Sequence, residues 1–106
     1  MGTHFEHVSI PKKANIFADG KCISYQLTFP GGEVKAMGVV MPGGVTFAAD
    51  TDETFEVVEG KGRISIGPNG GWTDFAGGQR FHVNAQERFE VEAAEPVHYV
   101  NHTGKK

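Results

Sequence analysis

The chain has 106 residues, a formal net charge of −3 and a single cysteine, Cys22. That length is one domain's worth, the acidic balance speaks against nucleic-acid binding, and a lone cysteine excludes an internal disulfide or a cysteine-based zinc site. With no apolar run near the ~18 residues of a membrane-crossing helix and no charged-then-apolar leader, the expectation is one cytoplasmic domain over residues 1–106, core about 5–102, away from membranes.

Eight phenylalanines and fifteen glycines, spread among short apolar runs, favour an all-β chain. In chain order, residues 5–10 read as an N-terminal edge strand ending at Pro11. Residues 14–17 and 22–28 read as two strands joined at Asp19-Gly20, a pair that tolerates the positive φ of hairpin turns. Strands follow at 34–41, 45–49, 54–58, 63–66, 72–75, 81–83, 89–93 and 97–102, divided by turns such as Pro30-Gly31-Gly32, Pro42-Gly43-Gly44 and Gly60-Lys61-Gly62. No apolar run keeps a helical period beyond two turns, and residues 103–106 read as a disordered tail. Strands every ~8–12 residues suit a sandwich or barrel.

Two stretches resemble the paired motifs with which cupin barrels build a metal site: residues 53–60 (ETFEVVEG) and 78–89 (GQRFHVNAQERF). The cupin pattern has histidines six and four residues before its glutamate and a third near the end of the second motif. In this chain those positions hold Phe47, Ala49 and Phe89, while the glutamate survives as Glu53. A transition metal wants three or four converging N, O or S donors, which one carboxylate among phenylalanines does not supply. The resemblance therefore implies a single antiparallel cupin-type β-barrel, jelly-roll-like and with little or no helix, that works without a metal or other cofactor. Period two then turns Phe47, Glu53, Phe55, Val57 and Phe89 inward and Glu56 outward. An aromatic interior holding one carboxylate describes a small-molecule pocket, because a carboxylate so placed is costly unless something pairs with it.

Longer segments carry a more specific likeness. VSIPKKANIFADGKCIS at 8–24, MGVVMPGGVTF at 37–47, TDETFEVVEGKG at 51–62, Trp72, GGQRFHV at 77–83 and AEPVHYV at 94–100 together resemble the pyrimidine/purine nucleoside phosphorylase family of small single-domain cupins. The resemblance implies phosphorolysis of purine and pyrimidine nucleosides to free base and ribose 1-phosphate, over a broad range of bases and without metal. This chain departs from the family pattern at Val34, where a basic residue often precedes the lysine. It departs again at Asn84 and Glu87, which replace the proline and serine of a Val-Pro-Ala-x-Ser-x-Phe segment. After Tyr99 it reads Val100-Asn101-His102-Thr103 in place of a common Tyr-x-Cys-x-Tyr ending.

Phosphorolysis assigns expected roles. Glu53, with Glu56 second, is the candidate acceptor for the ribose hydroxyls, and Phe47, Phe81, Phe89 and Tyr99 are the candidate base-stacking surfaces. Lys35, Arg63, Arg80 and Arg88 are the candidate phosphate ligands. His82 and His98 read as exposed strand residues, leaving no convincing general acid, and Cys22 reads as structural. The unpaired side of the N-terminal edge strand implies a homodimer. A non-enzymatic small-molecule binder is the rival reading, since fold alone does not decide function.

Overall fold

The computed structural model describes residues 4–103. Its strands are β1 (Asn15–Phe17), β2 (Cys22–Thr28), β3 (Val34–Val40), β4 (Gly43–Ala48), β5 (Glu53–Glu59), β6 (Gly62–Ile66), β7 (Trp72–Phe75), β8 (Arg80–Val83), β9 (Arg88–Ala93) and β10 (Val97–Thr103). No helix forms among the described residues. The strands build two antiparallel sheets, one ordered β1-β2-β3-β10-β5-β8 and the other β4-β9-β6-β7.

The expected single closed barrel is thus met by two sheets, and among the described residues no ladder joins one to the other. The chain changes sheet through loops, at 41–42, 49–52, 60–61, 76–79, 84–87 and 94–96. Aromatic and branched side chains fill the space between, which suits sheets packed face to face. Cys22, Val40, Phe55, Val57, Val83, Val97 and Tyr99 of the larger sheet meet Val45, Ile64, Phe75, Phe89 and Val91 of the smaller one in a single buried cluster. Period two explains the choice: in β5, Glu53, Phe55 and Val57 are buried while Thr54 and Glu56 between them are half-exposed. Each fully buried Val, Ile or Phe contributes about 1.5–3 kcal/mol of transfer free energy, so Phe55→Ala costs about 3–5 kcal/mol of stability.

Three local readings change. Residues 5–10 make only a single bridge, Ser9 to Thr28, instead of an edge strand, and His7 at φ 59° breaks the extended run. The first hairpin does turn at Asp19-Gly20, yet the left-handed stretch begins one residue earlier: Ala18, Asp19 and Gly20 have φ of 56°, 55° and 86°. Gly20 N–H donates to the Phe17 carbonyl at 3.2 Å, closing a turn whose twist matches its strands. Thr103, read as tail, is the last residue of β10, and its hydroxyl donates to the Val34 carbonyl at 2.6 Å. The rest of that tail, 104–106, lies outside the described residues.

Candidate active site

Glu53 opens β5 on the inward face of the larger sheet, opposite Val83 of β8 and Thr103 of β10. Only 9% of it is exposed. Its partner is Asn101 of β10, whose Nδ2 donates to Glu53 Oε1 at 2.7 Å. Asn101 lies on the same face as Tyr99, two residues before it, and is as deeply buried as Glu53. Burial pushes the Glu53 carboxyl above its ordinary range, the Asn101 hydrogen bond pulls the other way, and the nearby Asp50 carboxylate adds to the rise. The side-chain oxygen of Asn101, Oδ1, is buried and has no hydrogen-bond partner among the described residues.

This pair sits where strands end and loops cross between the sheets. Loops 49–52 and 84–87 meet there: Ala85 N–H donates to Asp52 Oδ1 at 2.8 Å, Gln86 N–H to the Ala49 carbonyl at 2.7 Å, and Gln86 Nε2 to the Asp50 carbonyl at 3.2 Å. Asn84 N–H donates to Glu87 Oε1 at 3.0 Å. The two departures from the family segment, Asn84 and Glu87, therefore bond to each other and shape the rim. Gln86 occupies the position of the cupin motif's glycine, and its φ of 73° keeps the left-handed backbone that glycine adopts at no steric cost.

The candidate aromatics converge. The Phe47 ring stacks on Phe89 at 5.0 Å and 15°, and meets Phe17 and Tyr99 edge-on at 5.9 and 5.7 Å. Behind them Phe55 stacks on Tyr99 at 5.1 Å and lies edge-on to Phe89. Phe89 and Tyr99 are fully buried, whereas Phe47 and Phe81 keep part of their surface open. Tyr99 Oη lies 3.4 Å from Cys22 Sγ, and burial raises the pKa of both groups, holding phenol and thiol neutral.

The opposite face of the same strands carries a different cluster. Glu56 Oε1 accepts from His102 Nε2 at 2.7 Å and pairs with Arg80 at 3.4 Å. Lys35 Nζ lies 2.8 Å from His102 Nδ1 and 3.0 Å from Glu33. Glu56 can only accept and Lys35 can only donate, so the ring carries its proton on Nε2 and accepts at Nδ1. Arg63 pairs with Glu92 at 2.7 Å and covers the Trp72 ring at 4.3 Å, on the outer side of the smaller sheet. Arg88 begins β9 at the Glu53 end of the molecule, is exposed, and has no ion pair among the described residues. A surface cleft of about 710 Å³ runs beside it, lined by Trp72, Ser65, Gln86 and Glu87 among others. His82 and His98 are exposed as expected, with His82 3.1 Å from Asn84 Oδ1.

The structure thus brings Phe47, Phe89 and Tyr99 together around Phe55, whose strand carries Glu53 on the same face; it puts Glu56, Lys35 and Arg80 on the other face of the larger sheet and Arg88 on the outer face of the smaller one. Sequence reasoning missed Asn101 and His102. The signal for Asn101 was period two: once Tyr99 faces inward, so does the residue two further on. No three of His, Cys, Asp and Glu come together to hold a metal ion among the described residues, and no helix there is long and apolar enough to cross a membrane.

Known proteins are similar along nearly the whole chain. A curated pyrimidine/purine nucleoside phosphorylase of Nocardia farcinica is 42% identical, covering 94% of this chain and 97% of its own. A crystal structure of a protein of unknown function from Acinetobacter sp. ADP1 superposes with a TM-score of 0.91 at 33% identity, covering 95% and 98% of the two chains. The structure of FeII HppE is alike in fold alone, with a TM-score of 0.73 at 12% identity over 87% of this chain and 55% of that one. The family profile for pyrimidine/purine nucleoside phosphorylase matches residues 12–102, so the chain belongs to that family.

Proposed function

We propose that this enzyme, a nucleoside phosphorylase by family, holds the ribose of its substrate against Glu53 at the loop-bounded end of the two sheets. The sheets then act as walls of one cupin-type barrel forming a single domain. The observation that carries this reading is the buried Glu53–Asn101 pair, next to the stacked Phe55 and Tyr99 rings on the same strands. A desolvated carboxylate with one oxygen bonded and the other making no bond to the described residues is suited to accept sugar hydroxyls. The open side of Phe47, backed by Phe89 and Tyr99, and the half-covered Phe81 offer faces on which any base can stack, which supports broad specificity.

Phosphate is assigned first to Arg88. Among the four expected cations it alone makes no ion pair with the described residues, and it heads β9 at the Glu53 end, on the face of that strand away from buried Phe89. Lys35 and Arg80, committed to Glu33 and Glu56, rank behind it, and Arg63 is committed to Glu92. Holding phosphate on the face of the sugar away from the base lets its oxygen bond to C1′ as the C1′–N bond breaks. The bond's electron pair leaves with the base, which takes up a proton from phosphate or water. Glu53 also lies where a negative charge favours the oxocarbenium-like state. Glu56, on the other face, is assigned a positioning role: through His102 it fixes the end of β10 that carries Asn101.

No step calls for a metal, and the ligand positions hold Phe47, Ala49 and Phe89. The enzyme is proposed to be a cytoplasmic homodimer. Ile23, Tyr25 and Met37 stand exposed together on the outer face of the larger sheet, an apolar surface that a second copy covers across a two-fold axis. Light scattering at micromolar concentration checks this, with a monomer mass as the contrary result.

Purified protein given uridine or inosine releases free base only when phosphate is present, and continues in EDTA. Turnover is slow, since no general acid stands at Glu53. Equal release without phosphate identifies a hydrolase, and no release from any nucleoside identifies a binding protein.

A further inference from the structure

We infer that Asn101 is a substrate-binding residue: with Glu53 it forms a two-point acceptor for hydroxyl groups of the sugar, and it sets how strongly the enzyme prefers intact ribose over deoxy sugars. This rests on the nucleoside reading of the same site and adds a residue and a specificity to it.

The orientation of the Asn101 amide is fixed by its partner. A carboxylate accepts and does not donate, so the NH₂ group must face Glu53 Oε1, where it sits at 2.7 Å. Flipping the amide would set two acceptors against each other. The carbonyl oxygen is therefore turned away from Glu53, buried and without a partner among the described residues. Buried polar side-chain atoms almost always find a hydrogen bond, and one left alone calls for an explanation. Across the ladder from Asn101 stands Ala36, whose methyl group supplies no donor, and on its other side stands Phe55, equally unable to satisfy it. Glu53 likewise leaves its second oxygen with no bond to the described residues.

The site thus presents two acceptor oxygens linked through one N–H of the Asn101 amide, whose second N–H is left over. Its complement is a ligand with two neighbouring hydroxyl donors. A ribose offers these at its 2′ and 3′ carbons. A phosphate or carboxylate, whose negative charge would meet that of Glu53, is disfavoured at this spot. Asn101 also ties Glu53 down through the same amide, so the acceptors are held in one geometry before the sugar arrives.

The test is kcat/KM for phosphorolysis of uridine, 2′-deoxyuridine and 3′-deoxyuridine by the wild-type enzyme and by Asn101→Ala. The wild type is expected to favour uridine over at least one deoxy analogue by about tenfold or more. In Asn101→Ala that preference falls to about threefold or less, because uridine loses rate and that analogue hardly changes. Equal losses on all three substrates, or no preference in the wild type, overturn the inference while leaving the phosphorylase reading intact. If Asn101→Ala does not fold, Asn101→Ser, which keeps a smaller acceptor, must show an intermediate preference. A second readout is independent of turnover. In ¹⁵N-labelled wild-type protein, uridine must shift the Asn101 side-chain NH₂ resonances more than the analogue does. Equal shifts, or none, overturn the assignment even if no nucleoside is cleaved.

Discussion

Glu53 and Glu56 stand three residues apart on β5 and differ in almost every physical respect. Glu53 is inward, nearly dry, tied to one neutral amide and raised in pKa by burial. Glu56 is outward, half-wet and shared between the His102 ring and the Arg80 guanidinium. The odd spacing puts them on opposite faces. Glu56 has partners enough to be a satisfied structural charge. Glu53 has one bonded oxygen and beside it an amide oxygen that no described residue satisfies, which is why the sugar is assigned to it and not to Glu56. Sequence proximity to a motif glutamate says little about role, whereas the face of the strand says a good deal.

The sharpest way to break this comparison is to neutralise each glutamate in turn. Glu53→Gln is expected to lower kcat/KM for uridine phosphorolysis by about 10- to 100-fold, because a charge-assisted hydrogen bond is worth about 1.5–3 kcal/mol. Glu56→Gln should stay within about threefold, its contacts being partly exposed. If the two effects were reversed, the outer cluster would be the catalytic one. Truncating Phe47 comes next. Phe47→Ala removes the half-open ring of the stack and should cost about 2- to 10-fold, mostly in KM, matching the ~0.5–1.5 kcal/mol of an aromatic pair. A KM unchanged in Phe47→Ala would take the base away from that ring.

Stability should run against activity at Glu53. Burial raises its folded pKa, so the neutral form suits the folded state better. The stabilisation it lends is fully present below the ordinary carboxylate pKa and is lost as pH rises through the raised folded value. Glu53→Gln escapes that loss. Its melting temperature should exceed that of the wild type at pH 7. The gain should shrink as pH falls below the carboxylate range, and a melting difference independent of pH would refute the burial argument. The smallest effect expected is at the rim. Gln86→Gly relieves a left-handed backbone costing about 1–2 kcal/mol but gives up the hydrogen bond to Asp50. It should therefore change stability by less than about 1 kcal/mol in denaturant titration.

Most strands were legible in the sequence because turn residues bracket them and one face is apolar. Cys22–Thr28 and Trp72–Phe75 fall where the pattern puts them. What was not legible has particular causes. Residues 5–10 alternate like a strand, but a positive φ at His7 stops the ladder after one bridge. Whether the strands close into one sheet depends on ladder partners far apart in the chain, which alternation does not encode. At the site, Glu53, Phe47 and Phe89 could be placed inward by period two. Asn101 stood out as a departure from a Tyr-x-Cys-x-Tyr ending, and period two turns it inward after Tyr99, but its role lies in a bond to Glu53, 48 positions away. The four cations could not be ranked from sequence, since their ranking depends on which of them Glu33, Glu56 and Glu92 neutralise.

The central claim is that the sugar is held on the inner face, at Glu53 and Asn101. A crystal structure with ribose 1-phosphate bound tests it most directly. Sugar hydroxyls are expected within hydrogen-bond distance of Glu53 and Asn101 Oδ1, with the phosphate toward Arg88. Ribose 1-phosphate seated instead on the outer face, against His102, Lys35 and Arg80, would contradict it.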